Sequence, residues 1–175
     1  MTMAANESDS RFDWASVELH PNLPMPVFTS TERWREERIG ALALYCSDGR
    51  WGEAFDEFCH RHLHIPRYDR WALPGGPAWL VPRPDKPDFH PAVQEQLDFL
   101  IKIHEVEQIV LITHFGCAYY GQRLQRAPLD CLPEQAEDAR KAASTLRHLH
   151  PNVKVEAYLA MRSLNWLSFH RLDTQ

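Results

Sequence analysis

No stretch of the 175-residue sequence approaches the roughly 18 consecutive apolar residues that a membrane span needs. Positive charge is also scarce: 19 lysines and arginines stand against 24 acidic residues, and the net charge is −5. This balance disfavours a nucleic-acid-binding surface, which needs a basic face. The first residues, MTMAANESDSRFDW, lack the basic and apolar regions of a secretory signal, and no internal repeat is evident. We therefore expect a cytoplasmic protein that has neither membrane nor nucleic acid as a partner.

The composition is that of a globular protein, with 44% hydrophobic and 11% aromatic residues. A chain of this length most simply forms one domain with a substantial core. We predict that residues 1–38 hold a disordered tail, a surface arm at Arg11–Pro26 and a short capped helix at Thr29–Glu37. Residues 39–175 are predicted to form the single folded domain.

Apolar periodicity predicts strands that alternate with helices in this domain. The predicted strands are Ile39–Cys46, Arg67–Leu73, Gln108–Thr113 and Val153–Met161. The predicted helices are Trp51–His62, Pro91–His104 and Pro133–His150. Three prolines predict an extended loop over Trp79–His90, Gly116–Arg126 allows a helix start, and Arg162–Gln175 fits either a helix or an extended segment. The pattern indicates an α/β fold with a mostly parallel sheet of four or five strands flanked by helices.

Two apolar runs end in polar, chemically reactive side chains. Ala41–Arg50 reads ALALYCSDGR and Ile109–Cys117 reads IVLITHFGC. In an open parallel sheet, ligand sites lie beyond the carboxyl ends of the strands, so both endings are expected at one edge. Cys46, His114 and Cys117 would then supply two thiolates and an imidazole, the donor set of a catalytic zinc with three protein ligands.

Three other interpretations of these side chains remain open. Cys46 or Cys117 can act as a metal-free nucleophile with His114 as its base. The cluster can also hold zinc in a binding protein without enzymatic activity. Finally, both cysteines can be ordinary core residues, since free cysteine is commonly buried.

Asp48 and Arg50 are the remaining candidates at the end of the first strand. Two residues apart on an extended segment, their side chains point the same way, and a guanidinium can hold a carboxylate with two hydrogen bonds. The neighbouring cation keeps Asp48 ionised. The carboxylate can therefore accept a hydrogen bond from water beside the metal, or take the fourth metal position itself; a structural ion pair at a turn is the alternative.

Two motifs in this chain resemble the zinc signature of the β-class carbonic anhydrases, C-x-D-x-R followed by H-x-x-C. They are Cys46-Ser47-Asp48-Gly49-Arg50 and His114-Phe115-Gly116-Cys117. The resemblance extends from about Ile39 to Met161. It implies Zn²⁺ held by Cys46, His114 and Cys117, and an Asp48–Arg50 catalytic pair. It also implies reversible hydration of CO2 to bicarbonate by zinc-bound hydroxide. A homodimer or higher homo-oligomer is implied, with N-terminal segments that embrace the partner.

The sequence departs from the family pattern in the loops expected to line the substrate pocket. The loop after the second strand, Ala72–Gly76, keeps glycines (Gly75 and Gly76) but lacks the family's arginine and asparagine. Ala118 and Tyr119 follow the second motif, where the family often has glycine. These four residues are predicted to shape the pocket. The alternative functions are hydrolysis of another heterocumulene, such as carbonyl sulfide or carbon disulfide, or binding of bicarbonate or another small anion without turnover.

Two further groups of residues attract attention as possible sites. The segment Cys59–His64, CHRHLH, is rich in metal-ligand side chains, but we interpret it as a solvated helix end where histidines suit the helix dipole. Cys131 is predicted to lie in a proline-flanked loop, where it has a structural role or none.

Overall fold

The computed structural model describes Pro24, residues 26–87 and residues 89–172, which fall into two compact units divided between Arg38 and Ile39. The predicted tail, most of the predicted arm and the last three residues lie outside this range. In the first unit, described residues 26–38 contain neither helix nor strand, so the helix predicted at Thr29–Glu37 is wrong. Ser30 Oγ accepts a hydrogen bond from the Glu32 N–H at 3.0 Å, a local turn. A single capped turn does not offset the cost of nucleating so short a helix.

The second unit alternates strands and helices along the chain. Its strands are β1 (Ala41–Cys46), β2 (Asp69–Leu73), β3 (Gln108–His114), β4 (Lys154–Ser163) and β5 (Trp166–Arg171). Its α-helices are α1 (Gly52–Glu57), α2 (Phe89–His104), α3 (Ala118–Leu124) and α4 (Pro128–Leu149). A π-helical turn at Phe58–His62 extends α1, and a 3₁₀ turn spans Gly76–Leu80. No helix of the described residues is long and apolar enough to cross a membrane.

The five strands form one sheet in the order β2-β1-β3-β4-β5. The first four are parallel and β5 is antiparallel to β4, which confirms the predicted mostly parallel α/β fold. Strand β1, between β2 and β3, is buried along its whole length, as expected of a strand covered on both faces. Its alternate residues enter two cores: Leu42 and Leu44 face α2 and α4, whereas Ala43 and Tyr45 face α1 and its π-helical turn.

Prolines misled the prediction of two helix starts. The predicted extended loop Trp79–His90 is wrong at both ends, because the 3₁₀ turn includes Trp79 and Leu80 and α2 begins at Phe89. Pro91 lies in the first turn of α2, where a backbone N–H has no partner to lose.

Helix α4 begins at Pro128, five residues before the predicted start, and contains Pro133. The carbonyl of Leu129 is the one that Pro133 deprives of a donor, and the Leu129 side chain is 67% exposed, so water is accessible there. Cys131 therefore lies in a helix, and its prediction as a loop residue is wrong. It is buried, and its thiol donates to the Arg126 carbonyl at 3.7 Å.

After Met161 the chain completes β4 and forms β5, so the segment that fitted either a helix or an extended chain is extended as far as Arg171. Buried Glu156 of β4 links this edge of the sheet, because it accepts a hydrogen bond from Gln108 of β3 at 3.0 Å and forms ion pairs with Lys154 at 2.7 Å and with Arg171 of β5 at 3.1 Å. Burial raises the pKa of Glu156, but Lys154, Arg171 and the Gln108 hydrogen bond outweigh burial and leave that pKa below its usual value.

Replacing Glu156 with glutamine is expected to lower the free energy of unfolding by about 1–3 kcal/mol at neutral pH, because hydrogen bonds to a charged acceptor are weakened. The lowered pKa means that the carboxylate stabilises the fold above its unfolded pKa and that this stabilisation is lost as pH falls through the folded pKa. Urea unfolding of both proteins should therefore converge in acid. The control is Glu137→Gln, which removes an exposed pair with Lys141 and should change stability by no more than about 0.5 kcal/mol. Equal losses in the two variants would contradict a role for Glu156 in the sheet.

Candidate metal centre

Three buried side chains converge at the carboxyl ends of β1 and β3. The ligand atoms of Cys46, His114 and Cys117 all lie within 4.8 Å of one another, and the two sulfurs are 3.7 Å apart. Cys46 ends β1 and His114 ends β3, adjacent parallel strands whose ends meet at one edge. Gly116, with φ +73°, reverses the chain so that Cys117 returns towards the other two residues.

His114 is oriented as a ligand. Its Nδ1 lies 2.9 Å from the Phe115 carbonyl oxygen, and because a carbonyl only accepts, Nδ1 carries the ring proton. Its Nε2 is fully buried and has no hydrogen-bond partner among the described residues. The lone pair of Nε2 therefore lacks a hydrogen bond that meets geometric criteria, and burying such an acceptor without compensation is unfavourable. Trp51 packs against the ring, with centroids 4.9 Å apart.

The environment of the two thiols favours a negative charge on Cys46 and opposes one on Cys117. The hydrogen bond with Cys117 is the main reason that the pKa of Cys46 falls well below its usual value, and His114 and the backbone N–H of Gly75, 3.4 Å from its Sγ, also lower it. The same hydrogen bond and burial raise the pKa of Cys117, which the backbone N–H groups of Tyr119 and Tyr120 oppose. Backbone donors thus act on both sulfurs, whereas a divalent cation would deprotonate both. Two cysteine sulfurs with backbone donors and one imidazole with a free lone pair form a donor set that fits a zinc ion.

Asp48 and Arg50 form the pair predicted from the sequence. Arg50 donates from Nε to Oδ1 at 2.9 Å and from Nη2 to Oδ2 at 2.6 Å. These hydrogen bonds lower the pKa of Asp48 to about 2, so the carboxylate is ionised at neutral pH. The segment forms a turn closed by the Trp51 N–H on the Asp48 carbonyl, so the predicted extended backbone is wrong although the side chains do meet.

Three of the four predicted pocket residues lie beside Cys46. Gly75 donates to its sulfur, and Gly76 packs against the backbone of Tyr45 and Cys46. The ring of Tyr119 lies so close to Gly75 that a Cβ there would overlap it. Ala118, the first residue of α3, is exposed.

Tyr119 is itself held in place. Its hydroxyl accepts a hydrogen bond from Arg83, which also pairs with Asp85, and its ring packs against Trp79. The pocket role of the four residues remains a prediction.

Sequence reasoning missed Gln135, a fully buried residue of α4 whose Nε2 donates to the His114 carbonyl oxygen at 3.0 Å. A signal was present, because Gln135 interrupts the buried stripe Ala139, Ala142 and Leu146 at helical spacing. A polar residue on such a stripe needs a buried partner.

The Cys59–His64 segment forms no comparable cluster. Within the described part of the chain, Cys46, His114 and Cys117 are the one group of His, Cys, Asp or Glu side chains close enough to share a metal. Cys59 is fully buried, and burial raises its pKa to about 11. His62 stacks on Phe58 and His60 packs on Tyr68.

Fold and site together define an α/β protein with a buried Cys-His-Cys centre at the carboxyl edge of its sheet. Residues 36–166 match the family model described as "Putative carbonic anhydrase". The chain belongs to this family.

Solved structures from Aspergillus fumigatus share the fold. The β-carbonic anhydrase CafA is 11% identical, with 79% of this chain and 77% of that chain covered and a TM-score of 0.50. The β-carbonic anhydrase CafD is 11% identical, with 86% of this chain and 98% of that chain covered and a TM-score of 0.51. No curated protein sequence matches the chain significantly.

Proposed function

We propose that the protein is a zinc-dependent β-carbonic-anhydrase-like enzyme that interconverts CO2 and bicarbonate. The observation that carries the proposal is the free, buried Nε2 of His114 beside two cysteine sulfurs. A metal-free Cys–His pair is less consistent with this arrangement, because two sulfurs and one imidazole form a ligand set rather than a nucleophile with its base.

Cys46, His114 and Cys117 would hold the zinc ion. Zinc bound there would supply a Lewis acid that makes water nucleophilic near neutral pH. Asp48 would accept a hydrogen bond from that water on Oδ2, which retains a lone pair beyond its bond to Arg50 Nη2, whereas Oδ1 already accepts from both the backbone N–H and Nε of Arg50. Arg50 keeps the carboxylate ionised and oriented. The centre has an apolar surrounding that suits an uncharged substrate. Trp51 lies beside His114, and Ala78 and Tyr120 lie beside the cysteines.

One observation favours a second candidate, hydration of a different linear heterocumulene such as carbonyl sulfide or carbon disulfide. Tyr119 and Trp79 place aromatic rings beside the Gly75 loop, where the family pattern has polar residues. Offering zinc-loaded protein all three substrates distinguishes the candidates by their relative kcat/KM.

Stopped-flow CO2 hydration by zinc-loaded protein tests the main proposal. We expect a rate above buffer between about pH 7 and pH 9, where zinc makes water nucleophilic. Asp48→Asn should lower kcat/KM by about 100-fold or more, because general-base groups typically contribute about 10²–10⁴-fold. Asp98→Asn, an exposed substitution on α2, is the matched control and should leave the rate unchanged. A wild-type rate equal to buffer rules out carbonic anhydrase activity, and equal rates for wild type and Asp48→Asn rule out the role of Asp48.

A further inference from the structure

The peptide that joins His114 to Phe115 is held at both ends. At one end, the Phe115 N–H donates to the Ala160 carbonyl of β4 at 2.8 Å. At the other end, the His114 carbonyl accepts from Gln135 Nε2 of α4 at 3.0 Å. This peptide precedes the Phe115 carbonyl, which in turn accepts the proton of His114 Nδ1. Its orientation therefore affects the position of the group that fixes the histidine ring.

The Gln135 side chain is fully buried, and its Oε1 has no hydrogen-bond partner among the described residues. Burying an unpaired amide oxygen is unfavourable, and an apolar side chain of similar length would avoid it. Packing of α4 on the sheet does not require an amide here, since its neighbours on the stripe, Ala139, Ala142 and Leu146, are apolar. The feature that distinguishes glutamine is the N–H donor aimed at His114.

We propose that Gln135 is a positioning residue of the metal centre: its amide fixes the His114–Phe115 peptide from α4 and so holds the imidazole ready for the metal. This inference rests on the proposed function, because it takes His114 to be a metal ligand. Gln135 touches neither metal nor substrate and acts through the backbone of the ligand. Groups that orient a metal ligand in this way typically change metal affinity by about 10- to 100-fold when removed.

Gln135→Met tests the inference, because methionine has a similar length and no N–H donor. Zinc affinity is measured by competition with a chelator, and the absorption spectrum of the Co²⁺-substituted protein reports ligand geometry. We expect an affinity lower by about 10- to 100-fold and an altered Co²⁺ spectrum, with a metal-free melting temperature that stays close to that of the wild type. Gln94→Met on α2 is the matched control, because that glutamine also has an unpartnered buried Oε1 but donates to Asp98, away from the centre. It should retain wild-type affinity and spectrum.

The outcomes distinguish a failure of the proposed function from a failure of the positioning role of Gln135. If wild-type protein binds no zinc, the proposed function fails. If wild type binds zinc and Gln135→Met binds it equally well with the same Co²⁺ spectrum, the positioning role alone fails.

Should Gln135→Met not fold, the wild-type protein itself supplies the test by NMR. The side-chain amide resonances of Gln135 should shift on zinc binding while those of Gln94 do not. Unshifted Gln135 resonances then overturn the inference.

Discussion

Replacing Cys46 with serine is expected to abolish stoichiometric zinc binding. Zinc content should fall from about one ion per wild-type chain to near zero after dialysis against a chelator, because a hydroxyl does not replace a thiolate ligand. Any zinc-dependent activity should fall to background with it. Atomic absorption on the dialysed protein measures the content, and circular dichroism confirms that the variant is folded.

Cys131→Ser is the matched control for this experiment. Cys131 is buried and packs in the same apolar cluster as Cys46 and Cys117, yet it does not belong to the group whose ligand atoms converge. It should retain zinc. If Cys46→Ser retains a full equivalent, or if wild type has no zinc to lose, Cys46 is not a ligand.

Gly76→Ala is expected to lower the free energy of unfolding by about 2–5 kcal/mol. Gly76 has φ +53°, where an alanine costs about 1–2 kcal/mol. Its Cβ would also lie 2.9 Å from the carbonyl carbon of Tyr45 and 3.0 Å from the amide nitrogen of Cys46, and crowding of this kind typically costs about 1–3 kcal/mol more. Urea unfolding measures the loss, and zinc affinity should fall too, because the backbone of Cys46 must shift.

Two other glycines distinguish the conformational cost of Gly76→Ala from the cost of crowding. Gly40 has φ +65° but no neighbouring atom within 4 Å of the position that a Cβ would take, so Gly40→Ala should show the conformational cost alone. Gly52 starts α1 with no close neighbour, so Gly52→Ala should be neutral or slightly stabilising. A Gly76→Ala loss no larger than that of Gly40→Ala would show that the close approach to β1 carries no energetic weight.

The sequence predicted the sheet and the central cluster well because both depend on short-range patterns. Continuous apolar runs at β1 and β3 identify strands covered on both faces, and the carboxyl ends of neighbouring parallel strands must meet. The sequence alone therefore predicts that three residues lie close together: Cys46, His114 and Cys117. The stripe of Trp51, Phe55, Phe58 and Cys59 likewise predicted a helical segment that is buried in the structure.

Other features depend on contacts that no local pattern encodes. Pro133 predicts a helix start, but α4 already begins at Pro128 and continues through Pro133, because the carbonyl that loses its donor lies near solvent. Strand β5 has no buried run of its own and is held by pairing with β4 and by Glu156. The Arg83–Tyr119 hydrogen bond joins residues 36 positions apart, and only the folded loop brings them together.

Gly75 makes two contacts that both depend on its backbone. Its N–H donates to the Cys46 sulfur, and its bare Cα lets the Tyr119 ring lie against it. A larger residue at this position must displace the Tyr119 ring and disturb the donor to the Cys46 sulfur together, so the position of the ring and the hydrogen bond to the sulfur cannot change independently there. Tyr119 contributes only its side chain to this contact, whereas its backbone N–H serves Cys117 whatever the residue type. If the proposed function holds, homologues that differ in substrate are therefore expected to vary position 119 and to keep glycine at position 75.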